Sequence, residues 1–253
     1  MDSTQRFTSR VEDYIKYRPS YPSEIVDLLR AECGLSADSV LADVGSGTGI
    51  LSRELLDGGF QVIGIEPNDA MRAAAEHTLA DEPRFTSIDA TAEQTTLDAA
   101  SVDLITAGQA FHWFDPVAAR AEFVRIGKSD CPIALIWNDR QTDSDEFHRA
   151  YEQLLLKLAP MYPTLHHRRI GEKDIADFFA PAPFELTRFP NQQVFDFDGF
   201  AGRLDSSSYA PQPGDENYES MRAELTALFD KHQVDGKIKV DYDTKVYYGQ
   251  LSG

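Results

Sequence analysis

The chain has 253 residues, enough for one α/β domain with a buried core and some elaboration, and its 42% hydrophobic content is that of an ordinary globular protein. A formal net charge of -18 excludes a long basic track for nucleic acid, which needs many Lys and Arg contacts to phosphate, and opposes an anionic membrane surface as the main partner. The expected effect of the charge is to keep the protein soluble.

The first residues, MDSTQRFTSRVEDY, are polar and lack the apolar stretch of a signal peptide; no apolar run reaches the length of a membrane span, so a cytoplasmic location is expected. Pro22 can open a helix whose stripe is Ile25, Val26, Leu28, Leu29 and Cys33, ending near Gly34. Strands and helices then alternate. SVLADVG reads as a buried strand, followed by a helix from about Thr48 to Leu56 and a turn at Gly58-Gly59. QVIGIE is a second strand, and its helix carries Met71, Ala74, Ala75 and Leu79. RFTSIDA and SVDLITAG are the third and fourth strands, a helix follows from about Pro116 to Ile126, and PIALIWN is the fifth strand. Such alternation predicts right-handed βαβ units and a parallel sheet. Beyond Asn138, Phe147, Tyr151, Leu154, Leu155 and Leu158 recur at helical spacing. A strand is expected around FELTRFPNQQVF, a helix through Tyr218, Met221, Leu225, Leu228 and Phe229, and a final strand at TKVYYGQL. The expected whole is a single domain, 1–253: an N-terminal helical lid (1–36), a doubly wound core (37–138), and helical additions with two last strands (139–253). Cys33 and Cys131 lie far apart in sequence with no metal-ligand spacing, and read as small apolar groups. His166-His167 has no acid or Cys at ligand spacing and reads as loop.

In a doubly wound sheet, ligands bind beyond the carboxyl ends of the strands beside the first one. Gly45-Ser46-Gly47-Thr48-Gly49 occupies that turn, where glycines let the backbone bend and a ligand approach closely. Several nucleotide-binding families share such a loop. A dinucleotide fingerprint wants Gly or Ala at position 50, which is Ile50, and a P-loop wants a Lys that is absent. Asp43, just before the first Gly, would repel a pyrophosphate. S-adenosylmethionine, with a sulfonium and an ammonium against one carboxylate, suits an acidic rim. Glu66 ends the second strand about twenty residues past the first Gly, as expected for a ribose diol. Asp89 ends the third strand, where a carboxylate can accept a hydrogen bond from an adenine amino group.

The runs LADVGSGTG, GIEP, IDATAEQ and SVDLITAGQAFHWFD resemble the class I S-adenosylmethionine-dependent methyltransferases of the small-molecule, type 11 branch. The resemblance is strong from about Val40 to Asn138 and looser beyond. It implies a Rossmann-like seven-stranded sheet, order 3-2-1-4-5-7-6, with the last strand antiparallel. It also implies that Asp43 and Gly45 to Gly49 face the methionyl part, Glu66 the ribose, and Pro67 and Met71 the adenosine. Asp89 and Ala90 would bind adenine, and Gln109 and Ala110 would sit near the methyl group. The product would be S-adenosylhomocysteine.

Three clusters are candidates for the acceptor. In DYIKYRPSYP, Tyr14, Tyr17 and Arg18 form a Tyr-x-x-Tyr-Arg-Pro run similar to an N-terminal segment of trans-aconitate-type methyltransferases that covers the cofactor. Arg18 could clamp a carboxylate of either ligand; the tyrosines could equally be packing residues. After the fourth strand, His112 is either a general base or a pocket-shaping residue, and Trp113 a substrate shelf or a packing residue. RLDSSSYAP offers Arg203 and Tyr209, in a pocket or in a turn before a helix. The expected reaction is in-line methyl transfer to a small-molecule acceptor. A nicotinamide-dependent oxidoreductase and a non-catalytic S-adenosylmethionine-binding protein are the alternatives. Neither the acceptor atom nor the oligomeric state is legible.

Overall fold

The structure, a computed structural model, describes residues 15–163, 170–207 and 209–251. Tyr14, the His166-His167 pair and Ser208 lie outside the described residues.

One sheet organises the chain. β1 (Val40–Val44), β2 (Gln61–Ile65), β3 (Phe85–Ile88), β4 (Leu104–Gly108) and β5 (Pro132–Arg140) pair in parallel, while β7 (Ile238–Gln250) runs antiparallel between β5 and β6 (Phe184–Phe195). The order is 3-2-1-4-5-7-6 with the last strand antiparallel, as the resemblance implies. β6 coincides with FELTRFPNQQVF despite Pro190, because it lies at the sheet edge, where a missing N–H leaves no ladder bond unmade. β7 starts at Ile238, six residues before the expected TKVYYGQL, and Lys239 and Asp241 already pair with β6.

Alternate residues of the central strands point to opposite faces, as the period of two requires. Leu104, Ala134 and Ile136 pack under α1 (Glu24–Cys33) and α2 (Ile50–Asp57). Ile105, Ala107, Ile133 and Leu135 meet α4 (Pro116–Ile126), which follows α3 (Asp69–Thr78), and also meet α6 (Glu172–Phe179). A third apolar cluster joins α5 (Glu146–Leu158), α7 (Phe197–Asp205) and α8 (Tyr218–His232) to Ile238, Val240 and Tyr242. This last cluster forms a cap beside the extended ends of β5, β7 and β6.

The boundaries follow local chemistry. α4 begins where the Asp115 carboxylate accepts from the N–H groups of Val117 and Ala118, with Pro116 in the first helical position. α1 starts at Glu24 rather than Pro22, because Pro22 and Ser23 form the turn whose carbonyls accept from Ile25 and Val26. Gly34, with φ 66°, ends it. Cys33 and Cys131 are half-buried free thiols, pushed up to about 11 and about 12, chiefly by burial.

The sequence reading missed α6 and α7. In α6 the signal is brief: Ile175, Phe178 and Phe179 are its buried face, over only two turns. In α7 two glycines hide it. Gly202 has a reason to lack a side chain, since an added Cβ would lie 2.2 Å from the Tyr17 ring. An Ala in a helix is ordinarily about 1 kcal/mol better than Gly. Here we expect Gly202→Ala to destabilise by about 1–3 kcal/mol in urea unfolding, through overpacking. The same change made in a Tyr17→Ala background should be stabilising. Equal effects in both backgrounds would show that the ring contact has no energetic weight.

Candidate functional site

Winding of the sheet reverses between β1 and β4, the place where a doubly wound sheet opens a crevice. Asp43 lies fully buried there. Its Oδ2 accepts from Ser52 Oγ of α2 at 2.6 Å, and its Oδ1 accepts from Thr106 Oγ1 of β4 at 3.1 Å. One carboxylate thereby ties together two strands and the following helix. Burial pushes its pKa up to about 6, against the pull of these two hydrogen bonds.

The glycine loop between β1 and α2 has its own bonding. Gly45 N–H and Ser46 N–H donate to Ile65 O at 2.8 and 3.1 Å, Gly49 N–H donates to Ser46 O at 2.9 Å, and Gly47 N–H donates to Glu66 Oε2 at 2.9 Å. These four donors are engaged by the protein itself, and one of the acceptors is a carboxylate. A phosphate nest would need them directed at the ligand. Gly45 has φ 68°, and a Cβ there would lie 2.5 Å from Ala110 Cβ, so only glycine fits. Gly47 has φ 57° with nothing within 4 Å of where a Cβ would be: the loop is open on that side. Thr48 Oγ1 is buried without a hydrogen-bond partner among the described residues.

A cavity of about 510 Å³ opens over this loop and extends across the ends of β4, β5 and β7. Of the sequence-based cofactor candidates, Asp43, Gly45, Ser46, Gly47, Thr48 and Gln109 line it. Gly49, Glu66, Pro67, Met71, Asp89, Ala90 and Ala110 do not. Met71, Ala90 and Ala110 are buried. Besides Gly47, the Glu66 carboxylate holds Asn68 N–H at 2.8 Å, and burial raises its pKa. Asp89 is largely exposed and faces Arg72 at 3.3 Å. Gln109 adopts a left-handed conformation, φ 56°, rare without a glycine, and its Nε2 donates to Asn138 O at 3.2 Å.

Of the acceptor candidates, Arg18, His112, Trp113, Arg203 and Tyr209 line the same cavity. Tyr17 stands behind it, its ring packed on Gly202. Three side chains pin the N-terminal segment over the sheet: Asn138 Nδ2 and Asn191 Nδ2 donate to Ser20 O at 3.1 and 2.8 Å, and Gln193 Nε2 donates to Tyr17 O at 3.1 Å. Arg18 Nη2 reaches Ser206 O at 3.1 Å. His112 belongs to a short turn, Phe111–Trp113, with its ring 4.6 Å from that of Trp113. Its surface is open to the cleft, yet the walls thin its solvent enough to pull the imidazole down to about 4. Arg203 sits on α7 and faces the cavity, the first of the two readings its run allowed.

The family model for a methyltransferase domain matches residues 42–135. An uncharacterized methyltransferase of Mycobacterium tuberculosis (strain H37Rv) is 36% identical over 143 residues, 55% of this chain and 54% of that protein. The chain thus spans about half the length of this relative. A methyltransferase-like protein of Schizosaccharomyces pombe aligns over 249 residues at 24% identity, covering 95% of this chain and 93% of that one. Among solved structures, a candidate type II methyltransferase from Anaeromyxobacter dehalogenans has a TM-score of 0.69 at 24% identity, covering 94% of this chain and 100% of that one. Phosphoethanolamine N-methyltransferase 2 of Haemonchus contortus, solved with phosphomonomethylethanolamine and S-adenosylhomocysteine, has a TM-score of 0.59 at 12% identity, covering 100% of this chain and 59% of that one. The shared architecture is the Rossmann-like fold of methyltransferases.

Outside the matched residues, the cavity of this methyltransferase fold is completed by side chains the sequence did not flag: Asn138, Arg140, Tyr162 and Tyr242. Arg140 extends β5 two residues past the apolar run PIALIWN, and its pairing with Tyr242 of β7 is the reason the strand continues. That pairing has no local signature.

Asp43 makes stability depend on pH in a defined direction. Its folded pKa lies above the ordinary 3.8, so between about 3.8 and 6 the unfolded chain has released a proton that the folded chain retains. Folding stability contributed by this group is complete below 3.8 and declines by about 3 kcal/mol as the pH rises through 6. Asp43→Asn should remove that decline: in urea unfolding, the difference between variant and parent should grow in the variant's favour from pH 4 to pH 7. A pH-independent difference would place the Asp43 pKa at its ordinary value.

Proposed function

We propose that the protein transfers the methyl group of S-adenosylmethionine to a small-molecule acceptor by in-line displacement. The observation that carries this reading is the bonding of the glycine loop: four of its N–H groups are engaged internally, one by the Glu66 carboxylate, so this rim repels phosphate and suits a cationic donor. The matched methyltransferase domain and the S-adenosylhomocysteine held by the Haemonchus neighbour support the same donor.

The residues present fit it. Open space at Gly47 admits a ligand against the backbone, and the partnerless Thr48 hydroxyl offers a polar contact in the wall. Asp43 and the loop would meet the methionyl part, with Glu66, Pro67 and Met71 along the nucleoside and Asp89 and Ala90 at the base. Gln109 and Ala110 would flank the reacting end. When bound, S-adenosylmethionine supplies an electrophilic methyl on a sulfonium. The chain's part is to hold the acceptor in line and exclude water. A small acceptor agrees with a cavity of about 510 Å³ and with a net charge of -18, which disfavours nucleic acid. No helix among the described residues is long and apolar enough to cross a membrane. A single domain is the reading that one continuous sheet from β1 to β7 supports.

Titration calorimetry should register S-adenosylhomocysteine and no NADH; binding of NADH alone would overturn the proposal in favour of an oxidoreductase. Transfer of labelled methyl to acceptors from a metabolite screen then tests the reaction, and its absence alongside tight donor binding would favour a non-catalytic role.

His112 is assigned to shaping the pocket. With its imidazole held near 4, it is neutral throughout the physiological range but gives little driving force for taking a proton. His112→Gln should leave kcat within about tenfold and leave the shape of the kcat/KM profile between pH 5 and 8 unchanged from the parent. A drop of about 10²–10⁴ in kcat, with loss of an acid limb from the profile, would make His112 the general base.

A further inference from the structure

At the end of the cavity away from the glycine loop, the charge reverses sign. Three arginines, Arg18, Arg140 and Arg203, line it, and the last two are buried. Arg140 is balanced: its Nη2 bonds Glu152 and Tyr162 Oη, the latter at 3.0 Å, and its guanidinium lies 4.8 Å over the Tyr151 ring. Arg203 is not. Its Nε donates to Tyr242 Oη at 3.2 Å and its Nη1 to Ser207 Oγ at 3.0 Å, both neutral oxygens. Among the described residues no carboxylate forms an ion pair with it, and its Nη2 makes no hydrogen bond. The other acids on this rim are already engaged, Asp139 by Lys245 at 2.7 Å and Glu172 by Arg188 at 3.7 Å.

A buried guanidinium without a counter-charge is costly, and proteins ordinarily pair such groups. In a chain of net charge -18 it is doubly unusual, because acids are abundant and, among the described residues, none pairs with Arg203. Tyr209 senses the same field. Burial alone would raise its phenol, yet the pull of Arg203, Arg140 and Arg18, with a Ser207 hydrogen bond, brings it below its ordinary value. The cluster is built on purpose-placed elements: Arg203 on α7, with Arg140 and Tyr242 facing each other across β5 and β7.

We propose that Arg203, with Arg18 and Tyr209 beside it, is the binding site for an oxyanion, a carboxylate or phosphate, carried by the methyl acceptor. This rests on the reading above, in which the donor occupies the glycine-loop end. β7 is three strands from β1 in the sheet, about 14 Å at ordinary strand spacing. That separation leaves the oxyanion as the handle of the acceptor and the space between as the place of reaction. A planar guanidinium fork gives such a group both charge and orientation.

The full chain saturated with S-adenosylhomocysteine is titrated with glutarate, with its uncharged diamide and with inorganic phosphate. Glutarate or phosphate should bind at least about tenfold more tightly than the diamide, and the tighter of the two identifies the anion as carboxylate or phosphoryl. Arg203→Met should abolish this preference while leaving S-adenosylhomocysteine affinity unchanged. If that variant does not fold, as judged by circular dichroism, Arg203→Lys keeps the charge without the fork and should weaken the anion about tenfold. Equal binding of anion and diamide overturns the proposal. So does an Arg203 variant that loses S-adenosylhomocysteine but not the anion, since the guanidinium would then serve the donor. A parent chain that binds glutarate or phosphate but no S-adenosylhomocysteine supports the oxyanion site and defeats the donor assignment instead.

Discussion

Asp43 is the constraint on which the site depends, because it is a charged group placed where charge is least welcome. Its carboxylate is buried beneath the glycine loop and accepts hydroxyl hydrogen bonds from Ser52 of α2 and Thr106 of β4. These bonds fix the angle at which β1 turns into α2, and with it the spacing of β1 from β4. The loop above can then be all conformation and no side chain. Gly45 closes against Ala110, Glu66 reaches across from β2 to hold Gly47, and the open face of the loop is left to the ligand. A carboxylate this deeply buried resists ionisation, so the arrangement trades stability for a fixed crevice, as strained or costly groups at functional sites commonly do.

The cavity has two ends of opposite character, made by different parts of the chain. The glycine-loop end comes from residues 42–135, the portion that matches a methyltransferase domain, and four of its loop N–H groups are engaged by the protein's own oxygens. The far end comes from the N-terminal segment, the end of β5, α7 and β7, and gathers arginines and tyrosines. Asn138 stands between them. Its carbonyl accepts from Gln109, its amide N–H₂ donates to Ser20 O, and its side-chain oxygen accepts from Thr244 and Asn191. One buried residue thus connects the last two strands, the N-terminal segment and the turn that follows β4.

The parallel half of the sheet was legible because its signals are local. Apolar runs of four to six residues, capping by Asp115 and Pro116, and glycines at turns each act within a few positions. The glycine loop was legible for the same reason. What escaped the sequence depends on partners distant in the chain. α7 carries Gly202, whose meaning appears only with Tyr17 against it. β7 begins early because β6 pairs with it, and Arg140 enters the cavity because Tyr242 extends β5. Arg203 drew notice as part of a serine-rich run, but its burial without a carboxylate is a property of the assembled cap.

The place of β7 also shapes how the molecule can be assembled. This strand is the last in sequence, yet it lies inside the sheet, hydrogen-bonded to β5 along residues 132–140 and to β6 along residues 184–195. β1 to β5 can associate through contacts between near neighbours in the chain, whereas β6 has no sheet to join until β7 is in place. Contacts of long sequence separation are slow to form. A chain emerging from the ribosome can therefore complete its glycine loop well before its arginine cluster, and the last strand acts as the keystone that gives the second half of the cleft its wall.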